Sequence, residues 1–90
     1  MSANSINKTY DLIKWLIPVA AKFPRDKKYT LGQRIEDRLL DILEFLLEAN
    51  YSKDKLVLLK KVNLQLEVFR YLIRLTYDLQ LINLRRYEFI

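Results

Sequence analysis

Two arrangements of charged side chains in this ninety-residue chain have a spacing that suits chemistry. The first is a row of carboxylates: Asp37, Asp41, Glu44 and Glu48 recur at i, i+4, i+7 and i+11 and share one helix face. Inward-facing carboxylates of this kind hold paired metals in helical bundles, where a Glu-x-x-His pair completes the ligand set. The chain has no His, and the row lies opposite an apolar stripe of the same segment. It therefore reads as a solvated acidic face, with no metal and no cofactor. The second arrangement is Arg70 and Arg74, one helical turn apart. Like charges at that spacing repel by a few tenths of a kcal/mol, which suits a two-Arg clamp on phosphates or on an acidic partner. Glu67 and Asp78 share the face and give the alternative, ordinary surface ion pairs. Lys60, Lys61, Arg85 and Arg86 extend the basic set. The aromatics Tyr10, Trp15, Tyr29, Tyr51, Tyr71, Tyr77 and Tyr87 interleave with the charges. Such rings can stack on bases, but at helical spacing they more often pack in cores and interfaces.

Catalysis has little else to work with. With no His, the commonest general base and transition-metal ligand is missing. With no Cys there is neither a thiolate nor a disulfide framework. No P-loop, GxGxxG or HExxH motif occurs. The expectation is a protein that is not an enzyme. Sixteen Lys and Arg against eleven acids leave a net charge of +5, with a pI near 9.6. Residues 1–34 carry seven basic and two acidic side chains, 35–50 one and five, and 51–90 eight and four. Two basic stretches thus flank an acidic one, a distribution that suits contact with nucleic acid. The start MSANSINKTY lacks the basic and apolar regions of a signal peptide, and no apolar run approaches the ~20 residues of a membrane span. A cytoplasmic protein with no membrane partner is expected.

The elements that must position these side chains are helices. The chain is 51% hydrophobic with one Gly and two Pro, too few turn formers for an all-β fold and too apolar for disorder. Leu12, Ile13, Leu16, Ile17 and Ala20 define a first helix over about residues 6–23. Pro18 should kink it and Pro24 end it. Arg25 to Tyr29 reads as a polar connection, and Thr30 with Gln33 as a capping box. Helix two follows over about 31–49, with Ile35, Leu39, Ile42, Leu43, Leu46 and Leu47 buried. Gly32 in its first turn permits close approach of a neighbour. Ser52 is the candidate cap of a third helix over about 53–80. Leu59, Val62, Leu66, Phe69, Ile73 and Thr76 give that helix core spacing, and Leu58, Leu64, Val68, Tyr71, Leu72, Leu75 and Leu79 a second apolar row. A helix so apolar all round is normally buried. Asn83 caps a stub over 84–90. The expected architecture is all-α: one domain over 1–90, an up-down bundle of three long helices plus a stub, assembled as a homo-oligomer that hides the second row.

Four stretches carry a family resemblance: TYDLIKWLIPVAAKFPR, YTLGQRIEDRLLDIL, LEVFRYLIRLTYDL and RRYEF. The combination Phe23-Pro24-Arg25, Leu31-Gly32, Arg70-Tyr71 with Arg74, and Tyr87-Glu88-Phe89 resembles the accessory variability determinant (Avd) proteins of diversity-generating retroelements. It is also similar to the related four-helix proteins encoded in intervening sequences of ribosomal RNA genes. The Avd resemblance implies a four-helix bundle that assembles as a homopentamer. It further implies association with the retroelement's reverse transcriptase and RNA, no catalytic site, and support of mutagenic, adenine-directed cDNA synthesis. On that reading Arg70 and Arg74 match the family's basic pair on the third helix, and with Lys60, Lys61, Arg85 and Arg86 they contact nucleic acid or polymerase. Family members continue past the Tyr-Glu-Phe with a full fourth helix, where this sequence shows a stub. The intervening-sequence resemblance implies a structural or oligomerisation module instead.

Overall fold

A computed structural model describes residues 3–90. The described chain is all helix and turn: α1 (Ala3–Ala21), α2 (Arg25–Lys27), a π-helical turn (Lys28–Gly32), α3 (Gln33–Tyr51), α4 (Lys55–Asp78) and α5 (Leu84–Phe89). Three long helices and a stub is the expected architecture. α3 is the central element and packs against both α1 and α4, while α5 folds back onto α4. The 24 residues of α4, about 36 Å at ~1.5 Å per residue, account for most of the 42 Å long axis. No described helix is long and apolar enough to cross a membrane.

One core holds the three long helices together. Ile13, Leu16, Val19, Ala20 and Phe23 come from α1 and its end, Ile35, Leu39, Ile42 and Leu46 from α3, and Val62, Phe69 and Ile73 from α4. Each fully buried aliphatic or aromatic side chain contributes roughly 1.5–3 kcal/mol. Thr76 continues the α4 series and is fully buried. Its hydroxyl is satisfied by donating to the Leu72 carbonyl at 2.7 Å. Leu47, expected inside, is 42% exposed. It stands about one residue's rotation beyond the strip that α1 and α4 can cover.

Helix boundaries depart from the sequence pattern where polar residues decide them. α1 runs through Pro18 and stops at Ala21. The Lys22 and Phe23 amides then close tight turns on the Val19 and Ala20 carbonyls. The polar stretch after Pro24 is helical, not a connection. Pro24 is extended (φ −52°, ψ 148°) and its carbonyl accepts from the Lys27 and Lys28 amides at 2.9 and 2.8 Å. Thr30 is not a cap: its hydroxyl donates back to the Asp26 carbonyl at 2.7 Å, and Gln33 reaches forward to Asp37 at 3.0 Å. Here the Gln33 amide bonds to the Lys28 carbonyl, the wide spacing of a π turn. Gly32 is buried in that turn. A Cβ there would lie 3.4 Å from both the Lys27 carbonyl oxygen and the Phe23 ring, so the close approach expected of it is present.

Ser52 likewise does not start the third helix. It ends α3 in extended conformation, and its Oγ accepts from the Asp54 amide at 3.0 Å, so that α4 begins at Lys55. α4 ends in a Schellman arrangement. Leu81 N–H bonds to the Thr76 carbonyl and Gln80 N–H to that of Tyr77. The left-handed residue is Gln80, with φ 62°. Asn83 caps α5 as expected, its Oδ1 accepting from the Arg86 amide at 2.9 Å.

The second apolar row of α4 is only partly covered within the chain. Leu58, Val68 and Leu72 are half-buried, Leu72 against the core, whereas Leu64 and Tyr71 are 62% and 67% exposed and Leu75 and Leu79 are also open.

Candidate nucleic-acid interface

α4 and α5 position the six basic candidates in two groups. Arg70 and Arg74 lie on the exposed side of α4 toward α5. Arg70 borders a groove of about 320 Å³ shared with Thr9 and Leu12 of α1, Phe69 of α4, Tyr87 of α5, and Ile90. The Tyr87 ring stacks on Tyr77, centroids 4.7 Å apart and planes 11° from parallel, which fixes α5 against α4. Arg86 borders the cleft that contains Tyr77 and Asp78, and Asp78 is the partner of Arg74 at 4.0 Å. Arg85 and Arg86 together line a second cleft of about 460 Å³ with Trp15, Asn83 and Phe89. Arg85 and Arg86 are therefore carried by α5, Arg70 borders the groove on its Tyr87 side, and Arg74 reaches its neighbourhood through Asp78.

The two lysines are elsewhere. Lys60 lies roughly 20 Å along α4 from Arg74 at ~1.5 Å per residue. Lys61 is on the other side of that helix, its Nζ 5.9 Å from the Phe45 ring centroid of α3. The six side chains thus divide into four arginines on or near α5 and two distant lysines.

Both α4 arginines carry acidic partners. Arg70 meets Glu67 at 2.6 Å and Arg74 meets Asp78 at 4.0 Å, with every one of these side chains more than half exposed. Exposed pairs contribute about 0.2–1 kcal/mol. Such pairs do not hold the guanidinium groups against an arriving phosphate, which forms bidentate, charge-assisted bonds. The ion pairs of the alternative reading are thus present.

The acidic row behaves differently. Asp37, Asp41, Glu44 and Glu48 are all exposed, and among the described residues none forms an intrachain ion pair. No group of three or more His, Cys, Asp or Glu among the described residues is placed to hold a metal ion. Beside the row, Glu36 titrates above its ordinary value of 4.5. Partial burial and the neighbouring Asp37 raise it, and Lys28 opposes them.

A family model described as bAvd-like matches residues 5–90, nearly the whole chain. The chain belongs to the bAvd-like family. No curated protein and no solved structure matches it significantly. Within this bAvd-like chain the matched region contains every helix from which the arginine group is built.

The association of Trp15 with Phe89 was not legible in the sequence. Their ring centroids lie 4.6 Å apart with planes tilted 37°, yet they come from the first and last helices. No periodicity joins such distant positions. The only local signals are the aromatic types and the Asn83 cap that aims α5.

Proposed function

We propose that this bAvd-like chain is a non-enzymatic accessory protein of a diversity-generating retroelement. On this reading it binds the reverse transcriptase and nucleic acid and supports mutagenic cDNA synthesis. The observation that carries the reading is family membership over residues 5–90. The net charge of +5 and the arginines around α5 are consistent with it. The arginines would take phosphates, and the exposed apolar row of α4 would take protein. Coexpression with the retroelement's reverse transcriptase tests the proposal. The two should coelute on size exclusion at moderate salt, and the purified chain should retain RNA. Elution of the polymerase alone, together with a chain that binds no RNA, overturns it.

The exposed members of the second α4 row, Leu64, Tyr71, Leu75 and Leu79, favour a second reading, an oligomerisation module of the intervening-sequence type. Several large apolar side chains left open on one helix face suit a protein contact surface. A second copy of the chain is the simplest cover, and closed symmetry repeats the contact without loose ends; five copies is the number that the Avd resemblance implies. Self-association is compatible with both readings, so RNA binding separates them.

A further inference from the structure

We infer that the cleft between α1 and α5 is a base-stacking site for single-stranded nucleic acid, an assignment that rests on the nucleic-acid role proposed above. The cleft is lined by Trp15, Asn83, Arg85, Arg86 and Phe89. Phe89 keeps 62% of its surface open although it touches Trp15. Trp15 is half-buried and packs against the core. The two rings touch, so a base stacks not between them but on the open face of Phe89, with Trp15 as the anchored ring beneath it.

The charges around it favour a polyanion. Arg85 and Arg86 line the cleft itself. Lys8 is exposed and stands about two turns before Trp15 along the same strip of α1, and Lys22 is exposed in the turn that follows the helix. Asp11 and Glu88 are the acidic neighbours, and Asp11 is paired with Lys14 at 3.8 Å. The balance is basic, so an acidic backbone is attracted while the Phe89 ring accepts a planar, apolar face. A protein segment supplies such a face only through an aromatic side chain, and not repeatedly beside regular negative charge. Duplex bases are already stacked on one another, so single-stranded nucleic acid is the ligand that offers both features.

Trp15 is the single Trp of the chain, so its fluorescence reports on this cleft alone. The test titrates the chain with a single-stranded adenine-rich RNA of about a dozen nucleotides, end-labelled so that anisotropy reports binding anywhere on the surface. Trp15 emission should fall to roughly half in step with the anisotropy rise, and a duplex of matching sequence should quench it far less. Phe89→Ala, at an exposed position, should keep its helical circular dichroism and weaken single-strand binding about tenfold. Arg85→Gln with Arg86→Gln should flatten the salt dependence, lowering the slope by about 1.4 for two lost phosphate contacts. An anisotropy rise with unchanged Trp15 emission, or a Phe89→Ala chain that binds as tightly as the parent, overturns the stacking site and leaves the nucleic-acid role standing. No anisotropy rise at all removes that role, and the stacking site with it.

Discussion

Replacing Arg70 and Arg74 together by Gln removes two of the four arginines on or near α5 and leaves Arg85 and Arg86 in place. For single strands, the logarithm of the binding constant falls with the logarithm of salt by ~0.7 per neutralised phosphate. Four arginines that each engage one phosphate give a slope of about −2.8, so a rise from 50 to 200 mM salt weakens binding about 50-fold. With two arginines the slope is about −1.4 and the same rise costs about sevenfold. Both side chains are more than half exposed and held only by Glu67 and Asp78. The double variant should therefore stay folded and lose no more than about 2 kcal/mol, the upper limit for two exposed ion pairs. Anisotropy titrations of a labelled single-stranded RNA at several salt concentrations read the slopes, and thermal melts check the fold. An unchanged slope in the double variant would refute the reasoning, as would a parent protein whose binding ignores salt.

Three other outcomes follow from particular contacts. Gln80 holds a left-handed conformation at φ 62°, which costs a non-glycine residue about 1 kcal/mol, so Gln80→Gly should raise the melting temperature by several degrees; a fall would mean that the Gln side chain offsets the strain. Glu36 has a raised value in the folded chain, so the fold binds this proton more tightly than the unfolded chain, and stability declines as pH rises through the window above 4.5. Glu36→Gln should accordingly be more stable than the parent at neutral pH and equal to it at pH 3–4 in chemical denaturation, and a gap of constant size across pH would rule the explanation out. Light scattering at micromolar concentration should find the parent larger than a 10.9 kDa monomer and Leu64→Glu, at a 62% exposed site, shifted toward monomer; a stable, soluble monomeric parent would mean that the open α4 row needs no cover.

The parts of the fold that periodicity dictates were legible in the sequence. Ile35, Leu39, Ile42 and Leu46 mark the inner side of α3, and Val62, Phe69, Ile73 and Thr76 that of α4. The departures come from residues whose role depends on hydrogen-bond direction. Thr30 can accept as a cap or donate to the carbonyl one turn back, and only the packing around Gly32 favours the second. The stretch after Pro24 has few apolar anchors, so no stripe reveals its helix. Gln80 stands where Gly is usual, so its left-handed turn carried no signal, although the end of α4 lies within two residues of the expected one. For the candidate site, residue type alone nominated the six basic side chains. It could not show that Lys61 lies across α4 from Arg70, nor that α5 brings Arg85 and Arg86 against Trp15. Those relations depend on how α5 folds back, and its Tyr87–Tyr77 stack is a contact between separate elements.

The accessory role is tested most directly by sequencing the cDNA made by the retroelement's reverse transcriptase on its own template RNA, with and without this chain. The account predicts that full-length cDNA with substitutions opposite template adenines rises sharply when the chain is added. It also predicts that the Arg70→Gln, Arg74→Gln protein supports this less well at physiological salt. Identical cDNA yield and substitution pattern in the presence and absence of the chain would contradict it.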